Sequence, residues 1–298
     1  MSGEDWREIS EEKILQANID KYHQQHIIEF YRDFEEPKYL YQEYDVIFNA
    51  VVNEIDPARE RPIKVVDLCG GAGKGVFTMR RHHETAQLIL VDLAQPMLDI
   101  ALERAQKEGI EGLSVVAEDA ITFLARPDKY DIIILSSAIH HFKDPVELIK
   151  KCAARLQPNG LIITIADPTT MIAGRRYKFL EFMLVNSAGK KQKLKALFQK
   201  KDPGAHYDIA EYQTVTGIDD HKMLEELAKS RIHPLMHLRY PAGEKMTALM
   251  SFLRLYWAFA TVLQNTATPD DHNSRRRIGN ELSRGLPFPF INYQEPSR

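Results

Sequence analysis

The 298-residue chain has few of the features on which several protein classes depend. It contains two cysteines and two tryptophans, and its 39 lysines and arginines are slightly outnumbered by 42 aspartates and glutamates. Two cysteines are too few for a disulfide framework or a structural zinc site. A formal net charge of −3 does not suit a general nucleic-acid binder, which carries a basic excess. These absences favour a globular protein of a reducing compartment, and we expect a cytoplasmic one.

Long hydrophobic runs are also missing. The longest, ALMSFLRLYWAFATVL at 248–263, is shorter than a membrane span and contains Arg254. The first residues, MSGEDWREISEEK, are polar and acidic, which does not fit a signal peptide. Hydrophobic residues nevertheless make up 44% of the chain, enough for a folded core. We therefore expect a soluble protein without a membrane partner.

A regular alternation of short apolar runs and helical patterns occupies the middle of the chain. The runs show little apolar–polar alternation, which is typical of strands buried on both faces. They lie at 63–68, 87–93, 113–119, 130–135 and 161–166. Strands that alternate with helices in this way predict a parallel, doubly wound α/β sheet.

The flanking segments divide the chain into four predicted regions. These are an N-terminal helical cap over 1–60, a core over 61–168, a helical insertion or lid over 169–230, and the C-terminal part of the sheet over 231–298. Within the last region, the pattern predicts strands at 231–240 and 288–294, with an apolar helix at about 244–264 between them. That helix is apolar enough to form the surface of a homodimer.

Four glycines follow the first predicted strand, in the stretch VVDLCGGAGKG at 65–75. In an open α/β sheet, ligands bind beyond the carboxyl ends of the strands, beside the first one. Glycines allow the backbone to approach a ligand closely, and the helix that follows adds a positive partial charge. The alternative is a tight strand–helix turn with no ligand.

Acidic residues at the ends of the next two strands favour a ligand. Asp92 lies nineteen residues after Gly73, and Asp119 ends the third predicted strand. A carboxylate in the first position accepts hydrogen bonds from ribose hydroxyls, and one in the second can accept from the amine of adenine. The glycines are spaced Gly71-x-Gly73-x-Gly75, whereas a dinucleotide site requires G-x-G-x-x-G. The pattern therefore predicts an adenosine site without a diphosphate cradle.

Five segments together resemble the motifs of class I S-adenosylmethionine-dependent methyltransferases of the small-molecule type. They are VVDLCGGAGKG, LILVDLAQPMLDIA, VVAEDA, YDIIILSSAIHHFKDP and ARLQPNGLIITIADP, and they cover roughly residues 60–168. The glycine loop of that family usually reads Gly-Cys-Gly-x-Gly, whereas Cys69 and Gly70 exchange the first two residue types here. The resemblance implies a Rossmann-like fold with seven strands, the last of them antiparallel, and helical insertions after strands 5 and 6. It also implies S-adenosyl-L-methionine as the cofactor.

Carried over residue by residue, the resemblance implies a set of cofactor contacts. Asp67, Gly71 and Gly73 would surround the methionine part, Asp92 would hold the ribose, Leu93 and Met97 would pack on adenine, Asp119 and Ala120 would bind its edge, and Tyr31 and His141 would lie beside the cofactor. His140 and His141 follow the fourth strand, where acceptor and cofactor would meet, so we predict one of them as the catalytic base. No metal ion is expected.

The predicted function is in-line methyl transfer to an N, O or C atom of a small metabolite. One alternative is a non-catalytic S-adenosylmethionine-binding subunit that partners an active methyltransferase. Another is an enzyme acting on a carrier-bound or RNA substrate, which the six lysines between 190 and 201 would attract unless they form a solvated helix face. The negative net charge makes a nucleic-acid partner the weaker alternative.

Overall fold

A computed structural model of the chain describes residues 8–33, 42–184, 208–241, 250, 252–265 and 272–294, with the backbone alone for 180–184. The lysine-rich stretch at 190–201 and most of 242–251 lie outside the described residues. The attraction of a carrier or an RNA to that lysine-rich stretch therefore stays a prediction.

The described residues form one eight-stranded α/β sheet in the order β3-β2-β1-β4-β5-β7-β6-β8. The strands are β1 Lys64–Leu68, β2 Gln87–Asp92, β3 Leu113–Ala117, β4 Tyr130–Ser136, β5 Leu156–Pro168, β6 Ile232–Tyr240, β7 Ala258–Asn265 and β8 Ile291–Asn292. Strands β1 to β5 run parallel, and β7 is antiparallel to both β5 and β6. The prediction of a doubly wound, mostly parallel sheet is confirmed.

Ten α-helices accompany the sheet in the described residues. They are α1 Glu11–Tyr22, α2 Gln25–Asp33, α3 Gln42–Ile55, α4 Lys74–His82, α5 Gln95–Glu108, α6 Ala120–Leu124, α7 Pro145–Ala153, α8 Arg175–Leu184, α9 Asp220–Ala228 and α10 His272–Gly285. Several begin or end where the sequence indicates. Asp144 caps α7 by accepting a hydrogen bond from the Glu147 amide at 3.0 Å, and Gly109 ends α5 in the left-handed conformation.

The central strands bury side chains on both faces of the sheet. On one face, Val65 and Ile132 belong to a core that also contains α3 and α4 residues; on the other, Val66 and Ile133 pack with residues of α6 and α7. Because both faces are covered, neither face selects polar residues. This explains why the strand sequences lack alternation.

The C-terminal part of the sheet differs from the prediction. The C-terminal part of the apolar run that predicts a helix over 244–264 forms β7 at 258–265 instead, between β5 and β6. A strand buried on both faces and a buried helix have equally continuous apolar sequences, so periodicity cannot separate them. The predicted strand at 288–294 shrinks to the two-residue β8 at the sheet edge, and β7 raises the number of strands to eight where seven were expected. Burial in the sheet accounts for the apolarity of β7, and the homodimer stays a prediction.

Helices α1 and α2 lie over the carboxyl ends of the strands. Ile9 and Ile14 pack against Tyr212, in a 3₁₀ segment at Ile209–Thr214, and Tyr22 and Ile28 pack against the start of α5. The Lys143 ammonium adds a hydrogen bond to the Ile9 carbonyl at 3.0 Å. The N-terminal helices thus roof the edge of the sheet where a ligand is expected.

Candidate functional site

A cavity of about 760 Å³ lies at the carboxyl ends of the strands. Its floor is made of residues at or just after the ends of β1, β2, β3 and β4 and of Ala166 in β5, and its roof of residues from α1, α2 and the 3₁₀ segment 209–214. Small-molecule sites in proteins occupy about 300–1,000 Å³. The cavity is therefore large enough for a nucleoside-sized ligand together with a second small molecule.

The glycine loop is fixed to the end of β2 by the carboxylate of Asp92. Oδ2 of Asp92 accepts a hydrogen bond from the Gly71 amide at 2.8 Å, and Oδ1 accepts from the Ala94 amide at 2.9 Å. Gly71 has a φ of +53° and borders the cavity, and no protein atom lies within 4 Å of a β-carbon built on it. A side chain at this position would occupy the cavity, so glycine keeps the backbone open to a ligand.

Asp67 accounts for two of the other glycines. Its side chain is fully buried beneath the loop, where Oδ2 accepts a hydrogen bond from the Val76 amide at 3.2 Å. A β-carbon on Gly70 or on Gly75 would come within 3 Å of this carboxyl group. Burial raises the pKa of Asp67 to about 8. Asp67 thus holds the start of α4 and does not border the cavity.

Gly73 is required by the turn itself. It precedes α4 with a φ of +86°, and a β-carbon there would clash with the Phe77 ring. Like Asp67, it lies outside the cavity wall. The glycine loop therefore combines one position that is open to a ligand with three that the local packing requires.

The other predicted contacts lie in the cavity wall. Asp119 caps α6: its Oδ1 accepts from the amides of Ile121 and Thr122, each at 3.0 Å. Of the predicted site residues, the wall contains Tyr31, Gly71, Asp92, Leu93, Met97, Asp119, Ala120, His140 and His141. The wall thus offers an adenosine group an open backbone position, two carboxylates that can accept hydrogen bonds, and apolar side chains.

His140 lies between two carboxylates. Its Nδ1 hydrogen-bonds Oδ1 of Asp167 at 2.8 Å, and its Nε2 hydrogen-bonds Oε2 of Glu211 at 2.9 Å. Burial lowers the pKa of His140, but the two carboxylates outweigh it and raise the pKa to about 9. In the absence of another ligand, His140 is a buried cation at neutral pH, which disfavours it as a proton acceptor.

His141 differs from its neighbour in every respect that matters for proton transfer. Its Nδ1 donates to the Ala210 carbonyl, so the lone pair of a neutral ring is on Nε2. Burial and the adjacent His140 lower the pKa of His141 to about 4. Its ring centroid lies 4.2 Å from that of His140. Nε2 of His141 takes part in no hydrogen bond with the described residues, and His141 borders the cavity.

The sequence does not single out several residues that complete this side of the cavity. Glu211 is held by Lys21 of α1, whose Nζ lies 2.5 Å from Oε1, and Tyr44 of α3 hydrogen-bonds the Ser136 hydroxyl at 2.8 Å. Burial alone would raise the pKa of Glu211, but hydrogen bonds from His140 and Lys21 hold that pKa well below its usual range. No motif marks Lys21, Tyr44 or Glu211, because they come from segments far apart in the chain.

Comparison with known proteins identifies the core. Residues 65–160 match the methyltransferase domain family. The chain carries a class I S-adenosylmethionine-dependent methyltransferase domain. Magnesium protoporphyrin IX methyltransferase from Synechocystis, solved with bound SAH, shares the fold with a TM-score of 0.55 at 13% identity, over 86% of this chain and 100% of that one.

Two curated relatives match the domain and little beyond it. The mitochondrial 2-methoxy-6-polyprenyl-1,4-benzoquinol methylase of Caenorhabditis elegans is 30% identical over 42% of this chain and 40% of its own length. The ubiquinone/menaquinone biosynthesis C-methyltransferase UbiE of Saccharophagus degradans is 25% identical over 42% and 52%. The chain thus spans about half or less of these relatives. No helix among the described residues is long and apolar enough to cross a membrane.

Proposed function

We propose that this protein transfers a methyl group from S-adenosylmethionine to an N, O or C atom of a small acceptor. The observation that carries the proposal is the cavity itself, whose floor combines the open Gly71 backbone with Asp92 and Asp119 inside a methyltransferase domain. When bound, S-adenosylmethionine supplies an electrophilic methyl group on a positively charged sulfur.

The floor of the cavity would hold the cofactor. Asp92 is positioned to accept from ribose hydroxyls, and Oδ2 of Asp119 is the oxygen of that carboxylate not engaged with the α6 amides. Leu93, Met97 and Ala120 offer an apolar surface for a purine ring. With a ligand bound, the roof of α1 and α2 would exclude water, which would strengthen the electrostatic interactions inside and limit hydrolysis.

The acceptor would bind on the other side of the cavity, beside the β4 end. There Tyr44 hydrogen-bonds the Ser136 hydroxyl, and the Tyr22 ring stands edge-on to His141 with centroids 6.3 Å apart. Aromatic side chains of this kind stack on flat ligands and stabilise a nearby cation. Because the curated relatives include a benzoquinol methylase, we propose an aromatic or quinol-like acceptor.

Of the two histidines, His141 is the better candidate for a base. A neutral imidazole with its Nδ1 proton fixed on a carbonyl presents Nε2 as an acceptor, and a positioned base contributes about 10²–10⁴-fold to a rate. His140 would instead hold Glu211 and the 3₁₀ segment in place.

The test is ligand binding followed by an acceptor screen. S-adenosylmethionine and S-adenosylhomocysteine at a hundred times their dissociation constants stabilise a folded protein by about 2.7 kcal/mol, whereas NAD serves as the negative control. Transfer of a labelled methyl group to hydroquinones, phenols and amines would then identify the acceptor class. Binding of the adenosyl compounds without transfer to any acceptor would favour the non-catalytic subunit. No binding at all would contradict the proposal.

A further inference from the structure

The two histidines and Glu211 converge on one point of the cavity wall. One ring nitrogen of His140, one of His141 and one carboxylate oxygen of Glu211 lie within 4.8 Å of one another. Two atoms bound to one transition-metal ion at about 2.1 Å are at most about 4.2 Å apart. A shift of a few tenths of an ångström in the side chains would therefore bring all three to coordination distance.

The outer contacts of the histidines are those of metal ligands. In metal sites, each histidine usually donates its second ring N–H to a carboxylate or a backbone carbonyl, which fixes the tautomer and aims the other nitrogen at the ion. Here Nδ1 of His140 bonds Asp167, and Nδ1 of His141 bonds the Ala210 carbonyl. Nε2 is thus the nitrogen of each ring that is left for a ligand. In His140 it lies 2.9 Å from Oε2 of Glu211, and in His141 no described residue binds it.

The local charge also suits a dication. Asp167 and Glu211 both bond the His140 ring, and the Lys21 ammonium bridges Glu211 to a third carboxylate, Asp208. With neutral imidazoles, this network of three carboxylates and one ammonium carries a net negative charge. Lys21 bonds Oε1 of Glu211, whereas Oε2 faces Nε2 of His140 at 2.9 Å, so an ion would replace the proton between these two atoms.

We propose that His140, His141 and Glu211 form a binding site for a divalent transition-metal ion such as Zn²⁺. Two imidazoles and one carboxylate are a ligand set that such ions favour, with further positions open toward the cavity. This inference rests on the proposed function for its role: an ion here would lie beside an acceptor oxygen and make its hydroxyl proton more acidic. His141 would then act as a ligand and not as the base, and the expectation of no metal would be revised.

A second histidine cluster provides the matched control. Asp220, His221 and His237 also lie close together, but the Arg239 guanidinium donates to both oxygens of Asp220, at 2.7 and 2.5 Å. The arginine already neutralises that carboxylate and competes with a cation. We therefore expect this cluster to bind no ion.

The experiment is a titration of the metal-stripped protein with Co²⁺, followed by visible absorption and by displacement with Zn²⁺. We expect one ion per chain, at least about 10-fold weaker binding in Glu211→Gln and His141→Ala, and unchanged binding in His221→Ala. His141→Ala leaves the bonds among His140, Asp167 and Glu211 in place, so its fold can be checked by thermal unfolding. A wild-type protein without Co²⁺ absorption, or a signal lost only in His221→Ala, would overturn the proposal and leave an ion-pair network.

Turnover separates this inference from the proposed function. Methyl transfer that falls at least about 10-fold on chelation and returns with Zn²⁺ or Co²⁺ supports both. Methyl transfer that is indifferent to chelation overturns the metal role while the proposed function stands. Co²⁺ binding at these residues in a protein that transfers no methyl group supports the site and overturns the function.

Discussion

Replacing Asp92 by asparagine separates a role in cofactor binding from a role in the fold. The carboxylate has two oxygens, which accept from the Gly71 amide at 2.8 Å and the Ala94 amide at 2.9 Å. An asparagine has one acceptor oxygen, so it can keep one of these bonds and turns its NH₂ group toward the other amide. The substitution therefore loosens the glycine loop and removes the charge expected to face ribose hydroxyls.

The expected magnitude is larger for binding than for stability. A hydrogen bond to a charged group contributes about 1.5–3 kcal/mol, so losing it weakens S-adenosylhomocysteine binding roughly 10- to 150-fold. Burial raises the pKa of Asp92, which means that its charge is costly in the folded protein. A neutral asparagine relieves that cost, and we expect unfolding to become easier by only about 1 kcal/mol.

Calorimetric titration with S-adenosylhomocysteine measures the effect, with thermal unfolding of the free protein alongside. Asp99→Asn is the matched control, because Asp99 makes one exposed contact with Gln95 on α5 and does not border the cavity. We expect the control to bind like the wild type. An Asp92→Asn protein that is folded and binds within about twofold of the wild type would refute the assignment of Asp92 to the cofactor.

Three further predictions test the loop, an ion pair and the corrected strand. Gly71→Ala and Gly109→Ala each place a β-carbon on a left-handed residue, at φ +53° and +65°, so each should destabilise the fold by about 1–2 kcal/mol. Calorimetry should show weaker cofactor binding for Gly71→Ala alone. Burial opposes ionisation of Asp220, but hydrogen bonds from His237 and Arg239 hold its pKa well below its usual range. The ionised carboxylate therefore stabilises the fold above about pH 4, and this stabilisation is lost below it. In urea unfolding, the stability of Asp220→Asn should fall less steeply with acid than that of the wild type. Phe259→Ala in β7 should cost about 3–5 kcal/mol in the same assay, whereas Phe252→Ala, in the same apolar run but 82% exposed, should cost little; equal costs would contradict the strand.

The cofactor side of the cavity could be predicted because each of its parts is local in the sequence. Gly71, Asp92 and Asp119 each lie at or just after the end of a strand, and parallel strands bring their carboxyl ends to one edge. The same motif also contains Asp67 and Gly73, which do not border the cavity. Motif spacing does not distinguish a residue that faces the ligand from one that supports the loop beneath it. That distinction depends on packing, here on the close fit of the loop glycines around the Asp67 carboxyl group.

The strand β7 could not be predicted for a different reason. It is central in the sheet and lies between β5 and β6, although it follows both in the chain. Its neighbouring strands therefore depend on the order in which the chain crosses the sheet, which no local sequence pattern indicates. An apolar run that is buried on all sides carries no periodicity by which strand and helix can be told apart.

The acceptor side of the cavity could not be predicted because its residues come from segments far apart in the chain. Glu211 is 71 residues from His140 and 190 from Lys21, yet the three side chains form one hydrogen-bonded chain at the cavity wall. The methyltransferase family match ends at residue 160, before Glu211, and begins at 65, after Lys21. Similarity within the matched core therefore speaks for the cofactor and the fold, while the residues that would choose the acceptor lie outside it. Two proteins can share this core and act on unlike molecules, so the acceptor of this chain has to be inferred from Lys21, Glu211 and the tyrosines of the N-terminal helices.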